Sequence, residues 1–372
     1  MTWLIIAVVV FLAYANGAND NFKGVATLLG GGVTNYRKAL YWGTAATFLG
    51  AIAAAFIANG LLATFSGKGF VPPEVVASPV FALSVGLGAA LTVILAVIFG
   101  FPISTTQALV GGLIGAGYLA SSSGLALGNL WNGVFKPLIF SPIIALLLAL
   151  AVYPIFHFVR RRLNVERKTC VCVGNEVMAR FPEGTSTAQA FEATTLPSVS
   201  VGKKPECQER YSGRVSGIEA GRAVDVLHYF SGGAVSFARG LNDTPKIAAI
   251  MLAVPGVGAT WGVVIAAGAM AIGGLLGARR VAETMSHKIT QMNAGQGLSA
   301  NLVTSFLVIV ASRFALPVST TQVSVGALFG IGIANRKVKW NTLTGIVLSW
   351  VITFPAGAIL SAGIYLLAKH VF

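Results

Sequence analysis

Two polar clusters occur twice in the chain and combine residue types that bind ions. Gly17-Ala18-Asn19-Asp20 returns as Gly240-Leu241-Asn242-Asp243, and Pro102-Ile103-Ser104-Thr105-Thr106-Gln107 returns as Pro317-Val318-Ser319-Thr320-Thr321-Gln322. Each copy interrupts a long apolar stretch, where carboxylates, amides and hydroxyls are costly and usually functional. Polar clusters at matching positions of two halves indicate a binding site between internal repeats.

The composition is that of a membrane protein. Of the 372 residues 55% are hydrophobic and only 10% are charged, whereas a soluble domain carries about a quarter charged residues. The net charge is +14, but the basic residues cluster in short loops between apolar runs, so nucleic-acid binding is not expected. The first apolar run, residues 3–12, lacks a preceding basic region and is expected to be retained rather than cleaved as a signal peptide.

Apolar runs long enough to span a bilayer predict an all-α polytopic fold. They cover residues 39–62, 80–99, 103–120, 137–158, 259–278, 297–315, 317–335 and 343–368. Two further segments, 2–34 and 225–255, are apolar but interrupted at the Asn-Asp motifs. The sequence thus predicts ten membrane elements, five per half, and up to twelve with short or re-entrant pieces.

Loop charges predict opposite orientations for the two halves. In the first half, Arg37 and Lys38 follow the first element. In the second half, the basic residues follow the second element (Arg279, Arg280, Lys288) and the fourth (Arg336, Lys337, Lys339). Placing basic loops in the cytoplasm gives inverted repeats at residues 1–158 and 224–372, with both termini outside the cell.

Residues 159–223 are hydrophilic and are predicted to join the halves on the cytoplasmic side. A solvated linker with some local structure is the simplest interpretation, and a regulatory or partner-binding role is the alternative. All three cysteines, Cys170, Cys172 and Cys207, lie here. Their spacing is not that of a structural zinc site, so free thiols in a reducing compartment are expected.

The Asn-Asp motifs predict helix breaks. Asn and Asp compete for nearby backbone groups and are poor residues inside a helix. A break at membrane depth must be buried in protein or line a wet cavity, and its carbonyls together with Asn and Asp oxygens suit a cation such as sodium. A buried polar contact between helices is the alternative.

The Pro-x-Ser-Thr-Thr-Gln clusters predict helix starts at the tips of two hairpins, because Pro and Ser are favoured at helix N-termini. The free N–H groups and hydroxyls of two facing tips would bind an oxyanion. Helix capping without a ligand is the alternative.

Asp20 and Asp243 would repel an anion placed between them. The negative charges must be compensated by cations bound together with the anion, by Lys23 and Lys246, or by protonation of a carboxylate or of the anion. An anion that itself carries a proton can donate to a carboxylate, which favours phosphate over sulfate. Alternatively, both lysines snorkel to the membrane surface.

These motifs resemble the inorganic phosphate transporter (PiT) family, although Leu241 departs from its Gly-Ala-Asn-Asp signature and both copies lack its usual Val-Ala-Asn continuation. The resemblance implies a plasma-membrane homodimer that imports inorganic phosphate with sodium, or with protons in some members. It also implies phosphate contacts from Asp20, Ser104, Thr105, Thr106, Asp243, Ser319, Thr320 and Thr321. The sodium ligands it implies are Asn19, Asp20, Gln107, Asn242, Asp243 and Gln322.

The function expected is therefore sodium–phosphate symport by alternating access, with no cofactor besides the transported sodium. A proton-coupled phosphate or sulfate permease and a passive anion channel are the alternatives. An intramembrane enzyme using paired aspartates is disfavoured, because neither motif contains a histidine and the chain has no nucleotide-binding loop.

Overall fold

The computed structural model describes residues 1–121, 124–180, 192–254, 256, 258–288 and 292–372. Within these ranges the chain is mostly helical, and seven helical segments are long and apolar enough to cross a membrane. The predicted all-α polytopic class is confirmed. The inverted orientation of the halves stays a prediction.

In the first half, the helices follow the predicted apolar runs closely. Helices α1 to α9 cover Thr2–Asp20, Ala26–Gly30, Tyr36–Ile57, Asn59–Phe65, Pro73–Val76, Pro79–Phe99, Thr105–Ala120, Leu127–Leu130 and Lys136–Arg162. A π-helical turn, Trp131–Phe135, joins α8 and α9 into one long apolar segment.

In the second half, helices α11 to α16 cover Ala220–Ala248, Ala259–Gly277, Arg279–Glu283, Ala294–Arg313, Thr320–Ala334 and Trp340–Val371. A 3-10 turn, Ala249–Ala253, follows α11, and a π-helical turn, Thr284–Lys288, follows α13. Residues 1–153 and 228–372 together form one compact unit. Its buried core draws on both halves, since Leu12, Val93, Leu241 and Met270 belong to one apolar cluster.

Residues 154–227 form a second compact unit. It contains strands β1 (Thr169–Arg180), β2 (Glu192–Lys203) and β3 (Ser212–Glu219) and helix α10 (Lys204–Arg210). The sheet is antiparallel in the order β2-β1-β3. The hydrophilic composition predicted only a solvated linker with some local structure and did not predict this sheet; residues 181–191 of that linker lie outside the described residues.

The prediction of free thiols is wrong for two of the three cysteines. Cys172 and Cys207 form a disulfide, whereas Cys170 is free and buried. Although 35 residues separate the pair, β2 folds back along β1 and leads directly into α10, which brings the two Cα atoms to 6.2 Å. This separation is within the range that a disulfide spans. Disulfides are typical of oxidising compartments, which conflicts with the cytoplasmic placement predicted for this unit.

The two Asn-Asp motifs differ in their effect on the helix. The prediction of a break is confirmed at the first, because α1 ends at Asp20 and a new helix begins at Ala26. At the second it is wrong, because α11 continues through Asp243 and Pro245 to Ala248. Pro245 lacks only its own N–H, so a single intrahelical hydrogen bond is lost while the surrounding turns stay helical.

Both Pro-x-Ser-Thr-Thr-Gln clusters begin helices, as predicted. Ser104 caps α7 and accepts a hydrogen bond from the Gln107 backbone N–H at 3.1 Å. Ser319 caps α15 and accepts one from the Gln322 N–H at 3.3 Å. Each cap follows a complete apolar helix, so both clusters form the tips of helical hairpins.

Glycines allow each motif-bearing helix to pack closely against a helix of the other half. A Cβ atom on Gly17 would lie 2.0 Å from the Met270 carbonyl oxygen, and one on Gly240 would lie 2.1 Å from that of Thr47. Gly17 and Gly240 are 223 positions apart in the chain, as are Thr47 and Met270. The two halves thus make corresponding contacts, of the kind that small residues make between membrane helices.

We expect Gly273→Ala to destabilise the protein. Its new methyl group would lie 2.0 Å from the Tyr14 carbonyl oxygen, and overpacking of this kind costs about 1–3 kcal/mol. Thermal unfolding in detergent should show a lower midpoint than in the wild-type protein.

The matched control is Gly268→Ala on the same helix, where no described atom lies within 4 Å of the added Cβ. Because alanine is the better helix former by about 0.5–1 kcal/mol, its midpoint should be unchanged or higher. Equal midpoints for the two variants would contradict the packing described here.

Candidate functional site

The duplicated motifs meet at one buried polar site in the larger unit. Both carboxylates of the Asn-Asp motifs and the lysine three residues after each are almost fully buried: Asp20 1%, Lys23 4%, Asp243 3% and Lys246 1% exposed. Snorkelling of the lysines is thereby contradicted, because their ammonium groups point into the protein. Isolated charges are not tolerated at this depth, so each must be paired.

Lys23 lies among oxygens from both halves of the chain. Its Nζ forms a salt bridge with Asp20 and donates to Asn19 Oδ1 at 2.6 Å and to the Ile103 carbonyl oxygen at 2.7 Å. It also donates to Thr321 Oγ1, at the tip of the second hairpin, at 2.7 Å. The first Asn-Asp motif is therefore bonded to both hairpin tips.

Lys246 repeats this arrangement from the other half. Its Nζ pairs with Asp243 Oδ1 at 3.3 Å and donates to the Val318 carbonyl oxygen at 2.7 Å. Its bond to the opposite tip is made to Thr106 Oγ1 at 2.8 Å. Equivalent residues of the two halves thus exchange equivalent contacts.

The threonine hydroxyl groups of each tip form hydrogen bonds with the backbone of the opposite tip and with the carboxylates. Thr321 Oγ1 donates to the Ile103 carbonyl oxygen at 3.0 Å, and Thr106 Oγ1 to that of Val318 at 3.4 Å. Thr105 Oγ1 lies 3.5 Å from Asp20 Oδ2, and Thr320 Oγ1 lies 3.4 Å from Asp243 Oδ2. Six of the eight predicted phosphate-contacting residues, the two aspartates and four threonines, are therefore joined in one network.

The remaining two, Ser104 and Ser319, are also buried, but their hydroxyl oxygens cap their own helices. They shape the tips by fixing where α7 and α15 begin. The helix starts themselves provide backbone N–H donors and partial positive charge for an anion.

Amide side chains hold the site together or remain unsatisfied. Asn19 Nδ2 donates to the Phe101 carbonyl oxygen at 3.0 Å, and Asn242 Nδ2 donates to Asp243 Oδ1 at 3.0 Å. The Oε1 atoms of Gln107 and Gln322 are buried and have no hydrogen-bond partner among the described residues. Two unsatisfied acceptors at equivalent positions are able to accept a cation or a proton donor.

The carbonyl oxygens of the site belong to different segments from those predicted. The sequence predicted that the broken ends of the Asn-Asp helices would supply them. In the structure they belong to Ile103 and Val318, in the extended segments that precede the two helix caps. These segments are not helical, so their carbonyl oxygens are free to accept hydrogen bonds from the lysines.

Sequence reasoning missed Arg239, which is 1% exposed. Its Nη2 donates to Thr47 Oγ1 at 3.0 Å and to Asn21 Oδ1 at 3.4 Å, while its Nε and Nη1 have no partner among the described residues. Its bond to Asn21 places the guanidinium next to the first Asn-Asp motif. The available signal was a basic residue in an apolar segment directly before the second Gly-x-Asn-Asp motif.

The lysines were considered in the sequence only as one source of charge compensation. Their signal was the repeated Asp-x-x-Lys spacing, which places both groups on one face of a helix. Lys23 and Lys246 balance the charges of Asp20 and Asp243, and Arg239 adds a further buried basic side chain beside the first Asn-Asp motif. The arrangement can bind an oxyanion between the tips of α7 and α15.

Several relatives resemble the chain over nearly its whole length. A "Probable low-affinity inorganic phosphate transporter" of Rhizobium meliloti is 30% identical and covers 99% of this chain and 96% of its own. A "Putative phosphate permease" of Chlamydia muridarum is 27% identical, with full coverage of both chains. A protein of Mycobacterium tuberculosis with the same description as the first is 26% identical over 97% of this chain and 76% of its own.

The fold matches a solved structure described as "The sodium-dependent phosphate transporter". The TM-score is 0.74 at 21% sequence identity, and the match covers both chains completely. At this identity the likeness establishes the fold. The family assignment rests on residues 16–361, which match the Phosphate transporter family. That family consists of transporters rather than enzymes, and its match includes every residue of the buried site, so this chain is a membrane protein that belongs to the phosphate transporter family.

Proposed function

We propose that this protein imports inorganic phosphate across the plasma membrane by alternating access, coupled to a cation gradient. The observation that carries the proposal is the mirrored pair of buried Lys–Asp bridges. Each bridge belongs to one half of the chain and is bonded to a threonine at the hairpin tip of the other half. A change in the packing of the halves must therefore change the site.

Phosphate would bind between the two hairpin tips. The residues proposed to contact it are Asp20, Ser104, Thr105, Thr106, Asp243, Ser319, Thr320 and Thr321. Two helix N-termini supply backbone N–H donors to a tetrahedral oxyanion. The four threonine hydroxyls and the lysines, which here bond oxygens of the protein, would turn to the anion when it binds. A protonated phosphate can in turn donate to an aspartate, whereas sulfate, fully ionised, cannot.

Sodium and the proton are the two candidate coupling ions. The solved structure with the matching fold is that of a transporter described as sodium-dependent. If sodium is the coupling ion, its ligands would be Asn19, Asp20, Gln107, Asn242, Asp243 and Gln322. The unsatisfied oxygens of both glutamines support cation binding. Two buried Lys–Asp pairs support proton coupling, because ionisable residues inside a membrane protein are the groups from which proton relays of transporters are built.

Alternating access is proposed from the correspondence of the halves. Transporters built of inverted repeats open to one side and then the other as one repeat rocks against its partner. Residues 1–158 and 224–372 would be these repeats. The loop charges favour both termini outside and residues 159–223 inside, whereas the Cys172–Cys207 disulfide favours an oxidising compartment for residues 159–223. Labelling of a cysteine added at either terminus by an impermeant maleimide tests this orientation, and absence of labelling in intact cells contradicts it.

A homodimer is also proposed, and light scattering of the purified protein in detergent tests it. A mass of a single 38.5 kDa chain would contradict the dimer.

A passive anion channel is the second candidate function, since the same donors could line a pore. Radiolabelled phosphate uptake into proteoliposomes, with sodium and pH gradients imposed separately, distinguishes the two. A symporter accumulates phosphate above its outside concentration under at least one gradient. Uptake that only equilibrates under both gradients would identify a channel.

Asp20→Asn and Asp243→Asn should each reduce phosphate accumulation by about 100-fold or more. Each change leaves a buried lysine without its counter-charge, which costs about 3–5 kcal/mol for a buried pair. The measurement is the uptake assay with variants that remain monodisperse on gel filtration. Asp225→Asn is the matched control, because the half-buried Asp225 pairs with the exposed Arg167 at 3.5 Å in the second compact unit and is not part of the buried site. Wild-type accumulation by Asp20→Asn would contradict the role of the carboxylate.

Thr106→Val and Thr321→Val should each weaken phosphate binding about 10-fold or more. Each change removes a buried hydroxyl, and leaving its hydrogen-bond partner unsatisfied costs about 1–3 kcal/mol. Valine keeps the shape of threonine, so folding should be preserved. The concentration of phosphate giving half-maximal uptake is the measured quantity. Thr344→Val, at an exposed helical position, should behave as wild type, and an unchanged half-maximal concentration in both tip variants would argue against phosphate binding at the tips.

A further inference from the structure

The ammonium group of Lys23 occupies the centre of an oxygen cluster. Carboxylate, amide, carbonyl and hydroxyl oxygens converge on its Nζ, from Asp20, Asn19, Ile103 and Thr321, and the last three lie at 2.6–2.7 Å. This mixture of side-chain and non-helical carbonyl oxygens is the ligand set that transporters offer to a coupling cation. An ammonium has only three N–H donors, so four oxygens around it exceed its hydrogen-bonding needs.

Lys246 occupies the equivalent position in the second half. Carboxylate, carbonyl and hydroxyl oxygens surround its Nζ, from Asp243, Val318 and Thr106, at 2.7–3.3 Å. Both lysines follow their aspartate by three residues and both are buried. One such contact would be an ordinary buried ion pair; two at equivalent positions of an internal repeat indicate a shared function.

We propose that Lys23 and Lys246 are tethered cations, which hold the positions that sodium would take beside Asp20 and Asp243, so that phosphate uptake by this chain does not require sodium. The proposal rests on the proposed phosphate import and assigns its coupling ion. A second positive charge is repelled where an ammonium is already bound to the same oxygens. The remaining coupling ion is the proton.

The charges of the site fit this assignment. Lys23 and Lys246 balance Asp20 and Asp243. Arg239, which is buried and bonds Asn21 next to Asp20, adds one positive charge when all five side chains are ionised. A monovalent, singly deprotonated phosphate makes the site neutral without any added metal ion. Transport of this protonated form carries a proton with each phosphate, which links uptake to the pH gradient. No covalent step is involved.

The first test uses the wild-type protein in proteoliposomes, with sodium replaced by choline on both sides. Radiolabelled phosphate uptake should change less than twofold, and an outside-acid pH gradient should increase accumulation. Radioactive sodium supplied with phosphate should not enter above the level of empty liposomes. A loss of uptake of twofold or more in choline, or phosphate-dependent entry of sodium, would overturn the proposal.

The outcomes separate this proposal from the function on which it rests. If phosphate accumulates only with a sodium gradient, phosphate import stands and the tethered cations are refuted. If phosphate does not accumulate under any gradient, the proposed function itself fails. Both results come from the wild-type chain, so neither depends on a variant folding correctly.

The second test replaces the tethered charges by neutral amides. Lys23→Asn and Lys246→Asn leave the oxygen clusters without their ammonium groups, and we expect uptake that sodium stimulates at least tenfold over choline. Lys136→Asn, at an exposed lysine on α9, is the matched control and should stay indifferent to sodium. Both variant proteins must remain monodisperse. If they take up phosphate at the wild-type rate in choline, the ammonium groups are dispensable, and their role as cations of the site is contradicted.

Discussion

The structure of the site depends on the burial of charge. Asp20, Asp243, Lys23, Lys246 and Arg239 lie almost fully out of contact with solvent. A buried charge is tolerated only when it is paired and hydrogen-bonded. Lys23 and Lys246 meet this requirement by reaching across to the opposite hairpin tips. The two halves of the chain are thereby bonded to one another at the proposed anion site.

This constraint explains the form of the surrounding elements. Pro102 and Pro317 precede non-helical segments whose carbonyl oxygens stay free for the lysines, and the serine caps then start helices that point at the same place. Gly17 and Gly240 let the helices that carry Asp20 and Asp243 pack closely against α12 and α3 of the opposite half.

Local features of the fold could be predicted from the sequence, whereas partners across the fold could not. The helix starts at Ser104 and Ser319 and the helix end at Asp20 follow from residue preferences over a few positions. That Lys23 bonds Thr321, and that Cys172 pairs with Cys207, depends on how distant segments fold together. The continuous helix at Asp243 shows tertiary packing overriding a local preference, and Arg239 was missed because composition does not reveal which face of a helix is buried.

The role of the buried lysines is tested most directly by a structure of the protein determined with bound phosphate in the presence of sodium. Phosphate is expected between the starts of α7 and α15, with the ammonium groups of Lys23 and Lys246 beside Asp20 and Asp243 and no sodium at those two positions. Phosphate bound away from these tips, or sodium on the oxygens that now bond the lysines, would contradict that role.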